Sequence, residues 1–281
     1  MVAGKLISSI KETPAVQSLI RSHAWQSFRY EITLRIDRRE NSTFTGFLRL
    51  PTQFEALEGP VVEYVLDGRS DKEMNVIVIG CSNGAEAYTI ASVLNNRNPR
   101  RAFRIAAYDI DRDMVKKAEN ACYHEEEVLN NKVITEKFIR ETFDIGDRKY
   151  TVKEDIAGHV RFGRADALDP DLRRNIGTAD IVFAQNFLLH MKPPNARKAF
   201  DNIWNLLNDR AAIFIDGIDL NIRRKETRER KLIPLDYKIP QIHDEARRAR
   251  GVGWPYQYWG LDEFRESKND WKRWYATVFL K

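Results

Sequence analysis

Apolar and polar positions change rhythm several times along the chain. Over the first 25 residues they recur at roughly helical spacing. "YEITLRID" then alternates strictly, with Tyr30, Ile32, Leu34 and Ile36 on one side, which predicts a strand. Pro51 opens "TQFEALEGPVVEYVL" as a helix, since a first-turn proline loses no hydrogen bond the helix needs. The polar, glycine-containing "DGRSDKEMN" (67–75) breaks the pattern and is the candidate linker.

Strands and helices alternate after that break. "VIVIG" reads as a buried strand and 85–95 as a helix. "FRIAAYDID" is a second strand and 112–121 a second helix. "ADIVFAQN" follows as a strand, then a helix over 193–208 opened by Pro193 and Pro194, and "AAIFIDG" as a strand again. This order predicts an α/β fold with a mostly parallel sheet covered on both faces. Ligands of such sheets bind at the carboxyl ends of the strands. The residues just after each strand are therefore the candidates.

The first of these ends is Gly80-Cys81-Ser82-Asn83-Gly84. Its glycines allow a sharp turn and a close ligand approach, and the helix behind it presents free N–H groups to an anion. The GxxxG spacing lacks the third glycine of a dinucleotide loop and the GK[ST] of a Walker loop. It suits S-adenosylmethionine, whose anionic end is a carboxylate, or it is only a tight turn. The second strand ends Tyr108-Asp109-Ile110-Asp111. Asp109 lies 25 positions after Gly84, near the roughly 20 typical of an acid that binds ribose hydroxyls. Either aspartate could instead cap the helix that begins near Arg112.

Composition narrows the class. The 281 residues allow one large domain and a small one, and 43% apolar content supports a real core. The two cysteines, Cys81 and Cys122, have no CxxC partner or histidine cluster, so neither a disulfide framework nor a metal site is expected. The apolar runs are too short to cross a membrane, and the N-terminus lacks a signal-peptide core. The expectation is a cytoplasmic protein. A formal charge of +5 fits an acidic substrate, an acidic protein surface or nucleic acid without choosing among them.

"GCSNGAEAYTIA", "AAYDIDRDMVKKAENACY", "VRFGRADAL" and "DIVFAQNFLLHM" resemble, in this order, motifs of the CheR family of chemotaxis-receptor glutamate methyltransferases. "NSTFTGFLRLPTQFEAL" resembles the segment that joins that family's two domains. The resemblance covers roughly residues 38–217. It implies a small N-terminal helical domain (1–70) and a class I, Rossmann-like methyltransferase domain (71–281). A small β-subdomain would be inserted around 137–162. The cofactor would be S-adenosylmethionine, with S-adenosylhomocysteine as product.

The same resemblance implies site residues. Asn41, Thr43 and Arg49 would face the cofactor from the joining segment, with Arg49 supporting turnover. Gly80 and Gly84 would form the loop, and Glu86 and Asp109 would hold the amino-acid and ribose parts. Asp166 and Ala167 would sit beside the adenine. Gln185 and Asn186 would close the pocket.

Some residues depart from the family. The spacing from Asn41 to Arg49 is longer than usual, and Asp166 stands where Asn is common. Gln185 replaces an arginine and His190 a tyrosine. "DGIDLN" (216–221) replaces a glycine-histidine-serine-glutamate turn. A glutamate acceptor is already ionised and needs alignment rather than a base. His190 could deprotonate a hydroxyl or amine acceptor, or simply pack.

Residues 220–260 lie outside the resemblance. From Arg223 to Arg250 there are ten Lys/Arg against five acids, followed by "GWPYQYWG". This tail is expected to cover the carboxyl edge of the sheet and meet an anionic acceptor or partner. "WYATVFLK" looks like the last antiparallel strand of the methyltransferase sheet. The acceptor classes are an acidic protein, methylated on glutamate, or an anionic small molecule or glycan. A non-catalytic cofactor sensor is the other reading. A nucleic-acid acceptor is disfavoured, because "HMKPPN" does not match the Asn/Asp-Pro-Pro-Tyr/Phe motif of amino-methylating enzymes.

Overall fold

The computed structural model describes residues 45–67, 73–97, 101–249 and 259–281, together with Trp25. The strand expected at Tyr30–Ile36, Asn41, Thr43, most of the candidate linker, Arg250, Trp254, Tyr256 and Tyr258 lie outside these residues.

The helix opened by Pro51 is broken. α1 (Pro51–Ala56) passes through a wide turn at Leu57–Val61 into α2 (Val62–Leu66). Gly59 leaves helical geometry there (φ −99°, ψ −107°) and is followed by Pro60, which has no N–H to donate.

The chain continues with β1 (Met74–Ile79), α3 (Ala85–Asn95), β2 (Phe103–Asp109) and α4 (Arg112–Glu119). Next come β3 (Cys122–His124), α5 (Glu125–Leu129), α6 (Glu136–Thr142), β4 (Phe143–Ile145), β5 (Lys149–Val152) and α7 (Glu154–Ala157). β6 (Val160–Arg164), α8 (Leu172–Ile176), β7 (Ala179–Gln185), α9 (Pro193–Trp204) and β8 (Leu207–Asp216) follow. The C-terminal part holds α10 (Leu220–Glu229), β9 (Ile233–Pro234), α11 (Ile239–Arg248), α12 (Trp271–Tyr275) and β10 (Val278–Leu280).

Seven strands form one sheet in the order β6-β2-β1-β7-β8-β10-β9. β6, β2, β1, β7 and β8 are mutually parallel. β10 runs antiparallel to β8 and β9, so "WYATVFLK" supplies the reversed strand, although Trp274 and Tyr275 belong to α12. The path turns one way after β1 and the other way at β7, which makes β1/β7 the switch point where such sheets bind ligands. Register sets the edge level: Ile79 lies opposite Tyr108 on one side and Ala184 on the other.

Alternate residues of β1 point to opposite faces. Val76 and Val78 pack with Phe183, Phe214, Ile90 and Leu94, and with Leu57, Val61 and Val65 of the α1–α2 region. Ile77 and Ile79 pack with Val182, Ile213 and Ile215, and with Ala199, Phe200 and Ile203 of α9. Burial on both faces explains the continuous apolar runs of these strands.

β3, β5 and β4 form a separate antiparallel sheet. An insertion was expected around 137–162. This sheet instead begins at Cys122 and ends at Val152, and Val160–Arg164 is the edge strand of the main sheet, paired with β2. Three-residue strands are too short for alternation to reveal β3 in the sequence.

Candidate functional site

The glycine loop is fixed by backbone geometry. Gly80 and Cys81 both donate to the Tyr108 carbonyl (2.8 and 3.0 Å), and Gly84 donates to that of Cys81 (2.9 Å). Gly80 (φ +77°) and Gly84 (φ +86°) adopt left-handed conformations. A Cβ on Gly80 would lie 2.8 Å from the Phe187 ring, and one on Gly84 2.9 Å from Ala118. Both positions therefore require glycine. The Tyr123 hydroxyl of β3 donates to the Asn83 carbonyl (2.6 Å), which ties the small sheet to the loop.

The two aspartates at the end of β2 and just after it divide their roles. Asp111 caps α4, accepting from the amides of Asp113 (2.8 Å) and Met114 (3.3 Å). Asp109 accepts from the Ser82 amide through Oδ2 (2.7 Å) and from the Asp111 amide through Oδ1 (3.0 Å). A carboxylate has about four acceptor sites, so Asp109 keeps capacity for a ligand. Ile110 between them is 50% exposed. It presents an apolar surface at the site that residue patterns did not single out.

Glu86 lies in the first turn of α3 and is 8% exposed. Burial pushes its pKa up to about 7, against the pull of Arg49 and with the help of Asp216. These three side chains are thus electrostatic neighbours. The backbone beside Arg49 is held firmly. Leu48 donates to Thr89 Oγ1 of α3 (3.2 Å), and the Asn131 amide donates to the Phe47 carbonyl (2.9 Å). The buried Phe47 ring packs edge-on against Tyr123 (4.9 Å) and Phe143 (5.1 Å).

Asp166 and Ala167 sit next to Asp109, because Ala165 donates to the Asp109 carbonyl (3.1 Å). Asp166 Oδ1 accepts from Leu168 (2.8 Å), and the Ala167 carbonyl accepts from Asn202 (2.9 Å). The Gln185 amide has a specific structural partner. It donates to Gln53 Oε1 of α1 (2.8 Å), and Gln53 donates to Thr277 Oγ1 (2.5 Å). Asn186 (φ +60°) donates through its backbone to the Asp216 carbonyl (2.9 Å). Gly217 lies so close that a Cβ there would be 2.6 Å from Asn186 Cα. His190 ends a short 3₁₀ turn and is half-buried. Asp216, at the end of β8, is fully buried and was not among the candidates. It lay inside the "DGIDLN" turn that departs from the family.

The arginines and lysines of the tail are largely spent on the fold. Arg223 is fully buried and donates to the Trp274 carbonyl (2.9 Å), while Arg224 stacks on the Trp274 ring (3.4 Å to the centroid). Arg230 bridges Glu226 and Asp201, Arg228 pairs with Asp270, Lys225 with Glu229, and Arg248 with Asp244. The tail was expected to meet an anionic acceptor or partner, with a solvated helical face as the alternative. Helical spacing brings several of these charges onto an acid one turn away.

The family described as CheR methyltransferase, SAM binding domain, matches residues 43–236. The chain belongs to the CheR methyltransferase family. The match takes in Arg49, the glycine loop, Glu86, Asp109, Asp166 and the end of β7, and it stops before α11.

Among its relatives, a probable biofilm formation methyltransferase, WspC, of Pseudomonas putida is 26% identical over 172 residues, 61% of this chain and 40% of that protein. Chemotaxis protein methyltransferase 2 of Vibrio cholerae is 25% identical over 175 residues, 61% of this chain and 60% of that protein. The chain thus spans less than two thirds of either relative. In a solved structure of the Synechocystis magnesium protoporphyrin IX methyltransferase with bound S-adenosylmethionine, the match is 16% identical. It covers 78% of this chain and 85% of that one, with a TM-score of 0.37. The sheet described above is the class I methyltransferase arrangement. S-adenosylmethionine is the cofactor of the matched domain.

Proposed function

We propose that this chain is an S-adenosylmethionine-dependent O-methyltransferase acting on the carboxylate of a protein glutamate. The observation that carries the cofactor half of the reading is the buried carboxylate of Glu86 behind a glycine loop braced by Asp109, and the carboxylate acceptor rests on membership of the CheR family. A carboxyl group held near pH 7 by burial gains most from a nearby cation, and the cofactor's ammonium supplies one. Asp109 would accept from the ribose hydroxyls. Asp166 and Ala167 would border the adenine, with Ile110 against its ring. Gly80 and Gly84 shape the loop, Asn186 closes the pocket, and Asn41 and Thr43 would approach from the joining segment.

When bound, the cofactor supplies a methyl group on a positively charged sulfur. An acceptor carboxylate would take that methyl group as the C–S bond gave way, leaving the electron pair on sulfur, and being already ionised it would ask no side chain of this chain to remove a proton. The protein's part is alignment in a site shielded from water. Arg49 serves that alignment beside Glu86. The acceptor would be an acidic segment of a protein reached from the cytoplasm. Among the described residues no helix is long and apolar enough to cross a membrane.

A second reading, a small-molecule or glycan acceptor, draws on Gln185, Asp216 and His190. Gln185 brings no charge and is engaged with Gln53. Asp216 adds an acid on the acceptor side, and a half-buried His190 could take a proton from a hydroxyl. The experiment is methyl transfer from labelled S-adenosylmethionine into an extract of the source cells. Protein label released by mild base as methanol supports the carboxyl ester. Base-stable label, or label confined to small molecules or glycans, favours the second reading. No transfer beside measurable cofactor binding favours a sensor.

A further inference from the structure

α11 lies beyond the segment that matches the CheR family, which ends at residue 236. It runs antiparallel to α1 and is tied to it at both ends. At one end Glu245 accepts from the Thr52 amide through Oε2 (3.1 Å) and from the Thr52 hydroxyl through Oε1 (2.5 Å). At the other, Lys238 donates to Glu55 Oε2 (2.7 Å), with the Tyr237 hydroxyl at 3.4 Å from the same oxygen. Just beyond the Thr52–Glu245 tie, Leu50, Ala246 and Leu261 are buried together, and Trp259 packs on them.

The pairing has a physical cause. α1 starts at Leu50 and Pro51, and neither offers a side-chain cap. The exposed amides of a helix start favour an anionic acceptor. Glu245 supplies one from 193 positions away. Arg49 stands three residues before Thr52. Its other flank is held by Thr89 and Asn131, as described above. The backbone that carries Arg49 is therefore fixed from both sides, once by the cofactor-binding core and once by α11.

We propose that Glu245 is a positioning residue: by capping α1 it holds Arg49 toward the Glu86 end of the cofactor site. This rests on the reading that Arg49 serves the cofactor. α11 then acts as a strap, built from a part of the chain outside the family match, that orders the joining segment. A displacement of about 1 Å in an aligning group can cost roughly 100-fold in rate, so a cap at this distance is able to matter.

The test is S-adenosylhomocysteine affinity by calorimetry in the full chain, for Arg49→Ala, Glu245→Ala, Glu245→Gln and the double Arg49→Ala/Glu245→Ala. Arg49→Ala should weaken binding about 10-fold or more, as loss of a charged hydrogen bond does. Glu245→Ala should weaken it in the same direction by about 5-fold, and the double variant should be no weaker than Arg49→Ala, because coupled residues are not additive. Glu245→Gln keeps an acceptor oxygen and should restore most of the affinity, with the fold intact. If Arg49→Ala weakens binding while Glu245→Ala does not, or if the two losses multiply, the inference is overturned and the cofactor reading stands. If Arg49→Ala leaves affinity unchanged, the reading of Arg49 fails and the inference falls with it.

Discussion

Asp109 of β2 accepts a hydrogen bond from the Ser82 amide of the glycine loop at 2.7 Å. The bond joins the loop after β1 to the end of the adjacent strand β2, beside the switch point at β1/β7. One carboxylate thereby shapes the loop while using only part of its acceptor capacity.

Asp109→Ala should weaken S-adenosylhomocysteine binding strongly. Losing two charge-assisted ribose bonds costs about 2–4 kcal/mol, or about 30- to 1000-fold in affinity. Asp109→Asn can still accept from Ser82 and should fall between the alanine variant and wild type. Calorimetry on the three proteins measures this. Equal affinities would remove Asp109 from the site.

Glu86 predicts a pH dependence of binding. In the unliganded protein its carboxyl is held up to about 7, chiefly by burial. An ammonium group beside it favours the ionised form, so binding below pH 7 must release a proton. Affinity should rise as pH increases toward about 7 and then level off. Calorimetry near pH 6 in two buffers of different ionisation heat should show up to about one proton released, and none for Glu86→Gln. Folding follows the raised pKa. The stability Glu86 contributes is full below the unfolded value of 4.5 and is lost as pH rises through about 7.

Several of these parts can be read from local pattern. The buried runs of β1 and β7, the helix opened by Pro193, and the cap at Asp111 each depend on neighbours in sequence. The glycine loop does too, since Gly80 and Gly84 mark backbone that no other residue adopts freely. What escaped reading lies between distant residues. Gln185 meets Gln53 across 132 positions and Thr52 meets Glu245 across 193. Such pairs leave no periodic trace, so Gln185 looked like a pocket residue only. The tail's charges looked available because the composition of 223–250 does not reveal that Asp201 and Asp270 come from other parts of the chain to meet Arg230 and Arg228.

Gln53→Ala tests the buried amide chain. It would leave the Gln185 amide and the Thr277 hydroxyl without the partners they now have. A buried polar group stripped of its partner costs about 1–3 kcal/mol. Urea unfolding should show a loss of that size, with a fall of roughly 2–4 °C in Tm for each kcal/mol. Unchanged stability would mean that water replaces Gln53 fully and that the chain does not hold α1 to the sheet.

His243 of α11 makes the clearest prediction for folding in acid. The ring is 1% exposed and stacks edge-on against Tyr275 (4.7 Å between centroids). Its Nε2 donates to the Asp262 carbonyl (2.7 Å), so Nδ1 is the bare nitrogen, and among the described residues it has no hydrogen-bond partner. Burial pushes the pKa down to about 4; Arg223 and Arg247 add to this, while the Asp262 bond and Asp216 oppose it. The unfolded chain takes up its proton near the ordinary 6.5. Between those values the unfolded state holds a proton that the folded state refuses. The stability His243 contributes is therefore present above about 6.5 and is lost as pH falls through about 4. The slope reaches about 1.4 kcal/mol per pH unit for one proton. His243→Gln keeps an N–H near the Nε2 position and does not titrate. Its unfolding free energy, followed by urea from about pH 7 to 4, should fall less steeply than wild type by about one proton. Glu86 titrates over part of the same range in the opposite sense, but it is common to both proteins and cancels in the difference. Identical slopes would show that His243 takes up its proton inside the fold and that water reaches it there.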